Sequence, residues 1–213
     1  MLAAYGPQGW WPADGPFEVM VGAVLTQNTA WVNVERAIEN LRRAGALSAE
    51  AIAALPEPRL AALLRPSGYF NVKARRLQAF CTWYVEAGGL ERLRRRRTAP
   101  LRRALLAVPG VGPETADDIL LYAFGRRVFV IDAYTRRLFG RLGLVAPDRP
   151  YEELREVFER ALGPRAALYN EYHALIVRHA KEVCGPRPRC EGCCLSGHCA
   201  ASAWFRRRST SAL

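Results

Sequence analysis

Val108-Pro109-Gly110-Val111-Gly112-Pro113-Glu114-Thr115-Ala116, followed at some distance by Phe129-Val130-Ile131-Asp132, is the part of this sequence that decides the fold. A leucine-rich amphipathic segment, residues 101–107, leads into the tight turn, and a second amphipathic segment follows it. Glycine permits backbone conformations that a side chain forbids, and it lets a turn approach another molecule closely. Amides in such a turn and at the next helix start can hold a phosphate. The stretch predicts either a phosphate-binding hairpin or a plain packing corner between two helices.

A cysteine cluster near the C-terminal end is the second informative feature. The spacing is five, two and five residues between Cys184, Cys190, Cys193 and Cys199. Cys194 lies next to Cys193 and is an alternative to it as a ligand. Thiolates packed so closely can converge on one centre, which favours a metal or iron–sulfur site. A disulfide knot suits a small secreted domain rather than this chain. Zinc bound by four thiolates remains an alternative, although such sites usually show two separated Cys-x-x-Cys pairs.

Composition limits the classes of protein that need to be considered. The chain has 213 residues, half of them hydrophobic, and a formal net charge of +11, which is typical of nucleic-acid binders. No apolar run reaches the length of a membrane span, and the first residues do not resemble a secretory signal. We therefore expect a cytoplasmic, nucleoid-associated protein without a membrane partner. The basic segment at residues 206–210 is expected to be a frayed tail.

The hydrophobic pattern is helical nearly throughout. Residues 17–27 read as a buried helix, and residues 33–43 as an amphipathic helix with its apolar residues at helical spacing. Residues 128–131 alone would suit a strand, but the segment is short and isolated. The pattern predicts an all-α fold.

The hairpin, the apolar run that ends in Asp132 and the cysteine spacing together resemble the helix-hairpin-helix (HhH-GPD) superfamily of DNA glycosylases. The likeness is to endonuclease III-like members, whose cysteine loop usually has six, two and five intervening residues and binds a [4Fe-4S] cluster. It implies two helical domains with a DNA-binding groove between them. Residues 17–126 would form a barrel domain that contains the hairpin. Residues 1–16 plus 127–213 would form a second domain that carries the cluster loop.

The resemblance also assigns roles to individual residues. Asp132 matches the catalytic aspartate, with helix N-capping as its plain structural role. Glu114 stands where bifunctional members carry a lysine, so it is a second catalytic candidate, with a helix-start acid as its plain role. The residues that would contact DNA are Gln27, Tyr69, Asn71, Lys73, Gly110, Val111, Gly112, Thr115, Arg187 and Arg189. The cluster ligands would be Cys184, Cys190, Cys193 and Cys199, and both histidines that precede them on their helix are expected to be structural.

Within the superfamily, the closest-looking branch is the 3-methyladenine DNA glycosylase III type. Its members hold alkylated purines between aromatic walls, and Trp31 and Trp11 are the residues of this chain that would supply such walls. A positively charged alkylated base would stack well on tryptophan. Core packing is the plain alternative for Trp31.

The resemblance therefore predicts a monomeric base-excision-repair glycosylase that acts on double-stranded DNA containing damaged bases. A glutamate cannot form the imine that a lyase needs, and Lys73 and Lys181, the two lysines of the chain, lie in other segments. We expect a monofunctional enzyme with weak or absent AP-lyase activity, acting on an alkylated purine such as 3-methyladenine. Two alternatives remain: an endonuclease III-like glycosylase and lyase acting on oxidised pyrimidines, and a non-catalytic iron–sulfur DNA-binding module.

Overall fold

Helices supply the regular structure of this protein. The computed structural model describes residues 1–202, and in that range no β-strand is present, so the all-α prediction is confirmed. The tail predicted at residues 206–210 lies outside the described residues. None of the helices in the described part is both long and apolar enough to span a membrane.

Twelve α-helices follow one another along the described residues. They are α1 (Leu2–Tyr5), α2 (Pro16–Leu25), α3 (Trp31–Arg43), α4 (Ala49–Ala54), α5 (Glu57–Leu63), α6 (Phe70–Glu86), α7 (Gly89–Arg94), α8 (Thr98–Leu106), α9 (Pro113–Asp118), α10 (Ala133–Leu142), α11 (Tyr151–Leu162) and α12 (Ala166–Glu182). Short 3₁₀ turns lie at Arg65–Ser67 and Ser196–His198, and a π-helical turn, Ile119–Ala123, continues α9.

Residues 11–126 form one compact unit that is built around α2. Pro16 begins this helix. Proline is tolerated there because an amide in the first turn has no acceptor within the helix, so its absence costs no hydrogen bond. Every residue from Val19 to Leu25 is buried, as expected for a central helix. The helix packs against α3, α6, α9 and the π-helical turn. The apolar face predicted on α3 is confirmed, because its buried residues are Val34, Ala37, Ile38 and Leu41.

Residues 1–10 and residues 127–202 form the other unit. Helices α10 and α12 pack together in it. The apolar segment 128–131 is buried and forms no strand or helix, and Phe129 stacks on Phe158 with 4.7 Å between ring centroids. Residues 11–16 belong to the first unit, whereas the sequence analysis placed them with the second. Their position follows from Trp11, whose ring packs on side chains of the first unit.

Candidate functional site

The hairpin between α8 and α9 has two of its amides free of internal bonds. Gly110 has φ +89°, a left-handed conformation that favours glycine. The amide of Val111 donates to the Val108 carbonyl at 3.0 Å and closes the turn. Among residues 1–202, the amides of Gly110 and Gly112 donate to no protein acceptor. Val111 was expected to contact DNA together with the two glycines, but its amide is already used and its side chain is 6% exposed. That expectation is corrected.

Gln27 follows α2 and contacts the hairpin directly. Its Nε2 donates to the Gly110 carbonyl at 3.2 Å and to Thr115 Oγ1 at 3.1 Å. Its Oε1 accepts from the guanidinium of Arg76 on α6. Thr115 is buried and its hydroxyl accepts the hydrogen bond from Gln27, and the DNA contact of Thr115 stays a prediction. Gln27 therefore joins α2, α6 and the hairpin.

The loop before α6 presents an aromatic side chain to solvent. Tyr69 is 72% exposed and has φ +47°, which is unusual for a residue with a side chain. Asn71, in the first turn of α6, is also exposed, so both of these predicted DNA contacts are accessible. Lys73, by contrast, is 1% exposed and its Nζ donates to the Ser67 carbonyl at 2.6 Å. The predicted DNA contact of Lys73 is corrected, because a buried amine that binds a carbonyl cannot reach a phosphate.

Glu114 lies in the first turn of α9 and is exposed. A carboxylate at this end of a helix interacts favourably with the helix dipole, which is the plain role expected for it.

An aromatic cluster lies beside α2. The ring of Trp11 packs edge-on against Trp31, with centroids 5.2 Å apart and an interplanar angle of 87°. Its other neighbour is Tyr122 on the π-helical turn, at 5.1 Å. Gly22 makes room for both tryptophans, because a Cβ there would lie 3.3 Å from each ring. Trp31 Nε1 donates to Glu35 Oε1 at 2.8 Å. The structure thus brings together the two predicted pocket tryptophans and adds a tyrosine, and all three rings are partly exposed.

Asp132 caps α10, so the plain role expected for it is confirmed. Its Oδ1 accepts from the Thr135 amide at 2.6 Å, and its Oδ2 lies 3.4 Å from Nε2 of His173 on α12. Burial opposes ionisation of this carboxyl, but the neighbouring His173 and the Thr135 amide outweigh burial and lower the pKa of Asp132 below its ordinary value. Asp132 is therefore a buried carboxylate that stays ionised at neutral pH.

Lys181 lies near this carboxylate within the same unit. Lys181 is an exposed residue whose pKa is lowered by partial desolvation of the amine, and the charge of Asp132 partly offsets that effect. Its Nζ lies 5.8 Å from the ring centroids of Trp10 and Tyr134. The amine thus makes cation–π contacts with two aromatic rings and also interacts electrostatically with the Asp132 carboxylate.

The four predicted cluster ligands, Cys184, Cys190, Cys193 and Cys199, line one cavity after α12. Cys194 is exposed and is not among the residues that line it. Two of these sulfur atoms accept hydrogen bonds within the protein: Arg141 donates to Cys184 Sγ at 3.3 Å, and the Leu195 amide donates to Cys193 Sγ at 3.4 Å. Burial first, then the neighbouring thiols, raise the pKa of Cys190. Within residues 1–202, no group of three or more His, Cys, Asp or Glu side chains is arranged around a single metal ion.

The cysteine loop also carries the two arginines that were expected to contact DNA. Arg187 is exposed. The guanidinium of Arg189 donates to the Glu182 carbonyl at the end of α12, so one of its donors is used internally.

Comparison with known proteins identifies the family. The sequence profile of the "HhH-GPD superfamily base excision DNA repair protein" family matches residues 21–164. The chain belongs to the HhH-GPD superfamily. It is similar, at 46% identity over 93% of this chain and 92% of the relative, to a Methanocaldococcus jannaschii protein provisionally named a DNA repair glycosylase. It is also similar to endonuclease III of Thermotoga maritima, at 31% identity over 91% of this chain and 85% of that protein.

A solved structure shares the fold of this HhH-GPD protein. It is the H. pylori 3-methyladenine DNA glycosylase bound to 1,N6-ethenoadenine, with a TM-score of 0.74 and 33% identity over 85% of this chain and 92% of that one. The predicted family is therefore confirmed, and the chain is a DNA glycosylase of the base excision repair type.

Sequence reasoning missed three residues of this HhH-GPD glycosylase. Arg76 follows another arginine, Arg75, on α6, and nothing in the pattern placed it against the hairpin. Tyr122 lies in the segment read as a regular helix, and its π-helical turn leaves no sequence signal. His173 was predicted to be structural, yet it is the residue that faces Oδ2 of Asp132.

Proposed function

We propose that this HhH-GPD glycosylase is monofunctional and releases alkylated purines from double-stranded DNA. The observation that carries the proposal is the aromatic cluster of Trp11, Trp31 and Tyr122. An alkylated purine is electron-poor and often cationic, so it stacks favourably on indole and phenol faces. The hydrogen bond from Trp31 to the Glu35 carboxylate places a negative charge beside this cluster, which further favours a cationic base. The similar H. pylori enzyme, crystallised with an ethenoadenine base, supports the same substrate class.

Base release would depend on Asp132. As the base leaves, positive charge develops on the sugar, and a fixed carboxylate stabilises that charge as it does in glycoside hydrolysis. The carboxylate can also orient the attacking water. The Thr135 amide and His173 hold Asp132 in place and keep it ionised, so no reorganisation is needed when the charge appears.

The hairpin and the loop before α6 would hold the duplex. The free amides of Gly110 and Gly112 are suited to a backbone phosphate, as donors in such turns often are. Tyr69 is exposed and strained at the tip of its loop, and such strain is retained mainly at functional positions. We infer that Tyr69 enters the base stack where the damaged nucleotide leaves it, and that Asn71 contacts the adjoining backbone.

A [4Fe-4S] cluster fits the four cysteines that line one cavity. Each of four irons takes one thiolate, and the hydrogen bonds from Arg141 and the Leu195 amide are of the kind that stabilise ligating sulfur. Cys193, rather than Cys194, belongs to this set. When bound, the cluster would join the loop to the end of α12 and stabilise it, and Arg187 would lie on the exposed part of that loop.

Lyase chemistry is the second candidate, and Lys181 is the observation that favours it. Glu114 occupies the hairpin position of the nucleophilic lysine, and the amine of Lys73 is buried on a carbonyl. Lys181, by contrast, lies near Asp132 and has a lowered pKa, which is what an amine nucleophile needs. We prefer the monofunctional reading because Lys181 is packed against aromatic rings rather than oriented by a general base.

The test is a panel of duplexes, each with one lesion: an alkylated purine, thymine glycol, uracil or an abasic site. Strand breaks are measured with and without hot alkali. Breaks in the alkylpurine duplex that appear only after alkali support the proposal. Breaks without alkali that disappear in the Lys181→Met protein would establish the lyase instead. Release of an oxidised pyrimidine but not of the alkylpurine would contradict the substrate class.

A further inference from the structure

Arg76 lies directly on the hairpin. A Cβ added to Gly110 would lie 2.7 Å from Cδ of Arg76, nearer than any real Cβ approaches a neighbour. A residue with a side chain is disfavoured at position 110 for two reasons. The backbone is left-handed there, and the methylene groups of Arg76 occupy the space that a side chain would fill. Arg76 is partly exposed, so its guanidinium remains accessible beside the turn.

Gln27 holds the Arg76 guanidinium at this position. Arginine has donors only, so the atom of Gln27 that faces it must be the amide oxygen. This orientation directs both amide hydrogens of Gln27 to the Gly110 carbonyl and to Thr115. Three contacts thus fix Gln27, and Gln27 in turn fixes one edge of Arg76. A guanidinium that is already ordered loses little entropy when it binds a further anion.

Within the described part of the chain, no carboxylate forms an ion pair with Arg76. Among the described residues 1–202, none of the ion pairs includes Arg76, and its one hydrogen bond leaves most of its five N–H donors unused. Its neighbour Arg75, by contrast, is paired with Glu57 at 3.0 Å. The positive charge of Arg76 also acts on the buried Lys73, whose pKa is lowered to about 8 chiefly by burial and further by Arg76. A cation that lacks an acid and lies beside two free amides is suited to an anion.

We propose that Arg76 binds a backbone phosphate of DNA next to the phosphate held by the amides of Gly110 and Gly112, with Gln27 as its positioning residue. The proposal rests on the proposed function in so far as DNA is the ligand. The matched arginine Arg75 has no such role, since it is exposed and paired with an acid.

The experiment is equilibrium binding of an undamaged duplex over a range of salt concentrations. Each phosphate contact makes the slope of the logarithm of the association constant against the logarithm of the salt concentration more negative by about 0.9. We expect Arg76→Met to bind more weakly with a slope smaller in magnitude by about one contact. Arg76→Lys should keep the slope, because it keeps the charge, and Arg75→Met should match the wild type.

Two outcomes would overturn the proposal. If Arg76→Met binds more weakly but keeps the full slope, Arg76 acts only through the shape of the hairpin. If Arg75→Met and Arg76→Met reduce the slope equally, the effect is one of general surface charge. Thermal unfolding of each variant shows whether the fold is retained, and Arg76→Lys still tests the proposal where Arg76→Met fails to fold. Failure of the proposed function would be seen separately, as absence of base release by the wild-type protein.

Discussion

Replacement of Asp132 by asparagine separates its two roles. Asparagine caps helices about as well as aspartate, so Asp132→Asn should keep the bond to the Thr135 amide and the start of α10. It removes the negative charge that would stabilise the sugar. We therefore expect the single-turnover rate of base release to fall roughly 10²–10⁴-fold. Binding to a lesion-containing duplex should change little, because the phosphate contacts lie elsewhere.

The alanine variant provides the matched comparison. Asp132→Ala loses the cap as well as the charge, so it should unfold in urea with about 1 kcal/mol less stability than Asp132→Asn. The pKa of Asp132 is lowered in the folded protein, so its ionisation stabilises the fold above the unfolded-state pKa and that stability is lost as pH falls through the lower, folded value. The stability advantage of wild type over Asp132→Asn should therefore shrink below about pH 4.

The assay is single-turnover release of the base at saturating enzyme, measured with urea unfolding of the same preparations. A wild-type rate in Asp132→Asn would refute the catalytic assignment. A slow rate accompanied by an equal loss of DNA affinity would show that the residue acts through binding. If both variants have the same stability, the N-cap contributes nothing.

Three further results are expected. Tyr69→Gly should stabilise the fold by about 1 kcal/mol, because it relieves a left-handed tyrosine, while base release slows; equal release by this variant would contradict the wedge role. Burial lowers the pKa of Lys73 to about 8 in the folded protein. Between about pH 8 and 10.4 the unfolded chain therefore binds more protons than the folded protein, so the free energy of unfolding should rise with pH in that window. Urea unfolding of Lys73→Met should lack this rise, and its persistence would place the effect on another group. Cys193→Ala should lose iron and the absorbance at about 400 nm, whereas Cys194→Ala should keep both. The reverse pattern would show that Cys194, and not Cys193, is the cluster ligand.

The fold could be predicted from the sequence because its signals are local. The apolar run of α2, the apolar face of α3 and the Pro-Gly-Val-Gly turn each act through neighbouring residues, and the structure has a buried helix, an amphipathic helix and a turn at these places. Residues 128–131 were harder to interpret, because a short buried apolar segment without regular structure has the same sequence pattern as a strand.

The site could be predicted only where a motif names the residue. Asp132 and the four cysteines have fixed neighbours in sequence, but the fate of a long side chain depends on what lies opposite it in space. Lys73 was predicted to reach DNA because it is basic and lies in a loop motif, yet its helix carries it inward to a carbonyl. Arg76, one turn further along the same helix, faces the hairpin instead. Lys73 and Arg76 are three residues apart and lie on the same side of the helix, so helical periodicity does not tell which of them turns inward and which faces the hairpin.

The most direct test of the account is to follow the released base and the protein in one reaction. The wild-type protein is incubated with a duplex that carries one alkylated purine, half of the sample receives borohydride, and both products are examined by mass spectrometry. We predict that the reaction gives free alkylpurine, an intact DNA strand with an abasic site, and no covalent protein–DNA adduct. An adduct trapped by borohydride in step with base release would contradict it, because it would show that an amine of the protein, rather than water, attacks the sugar.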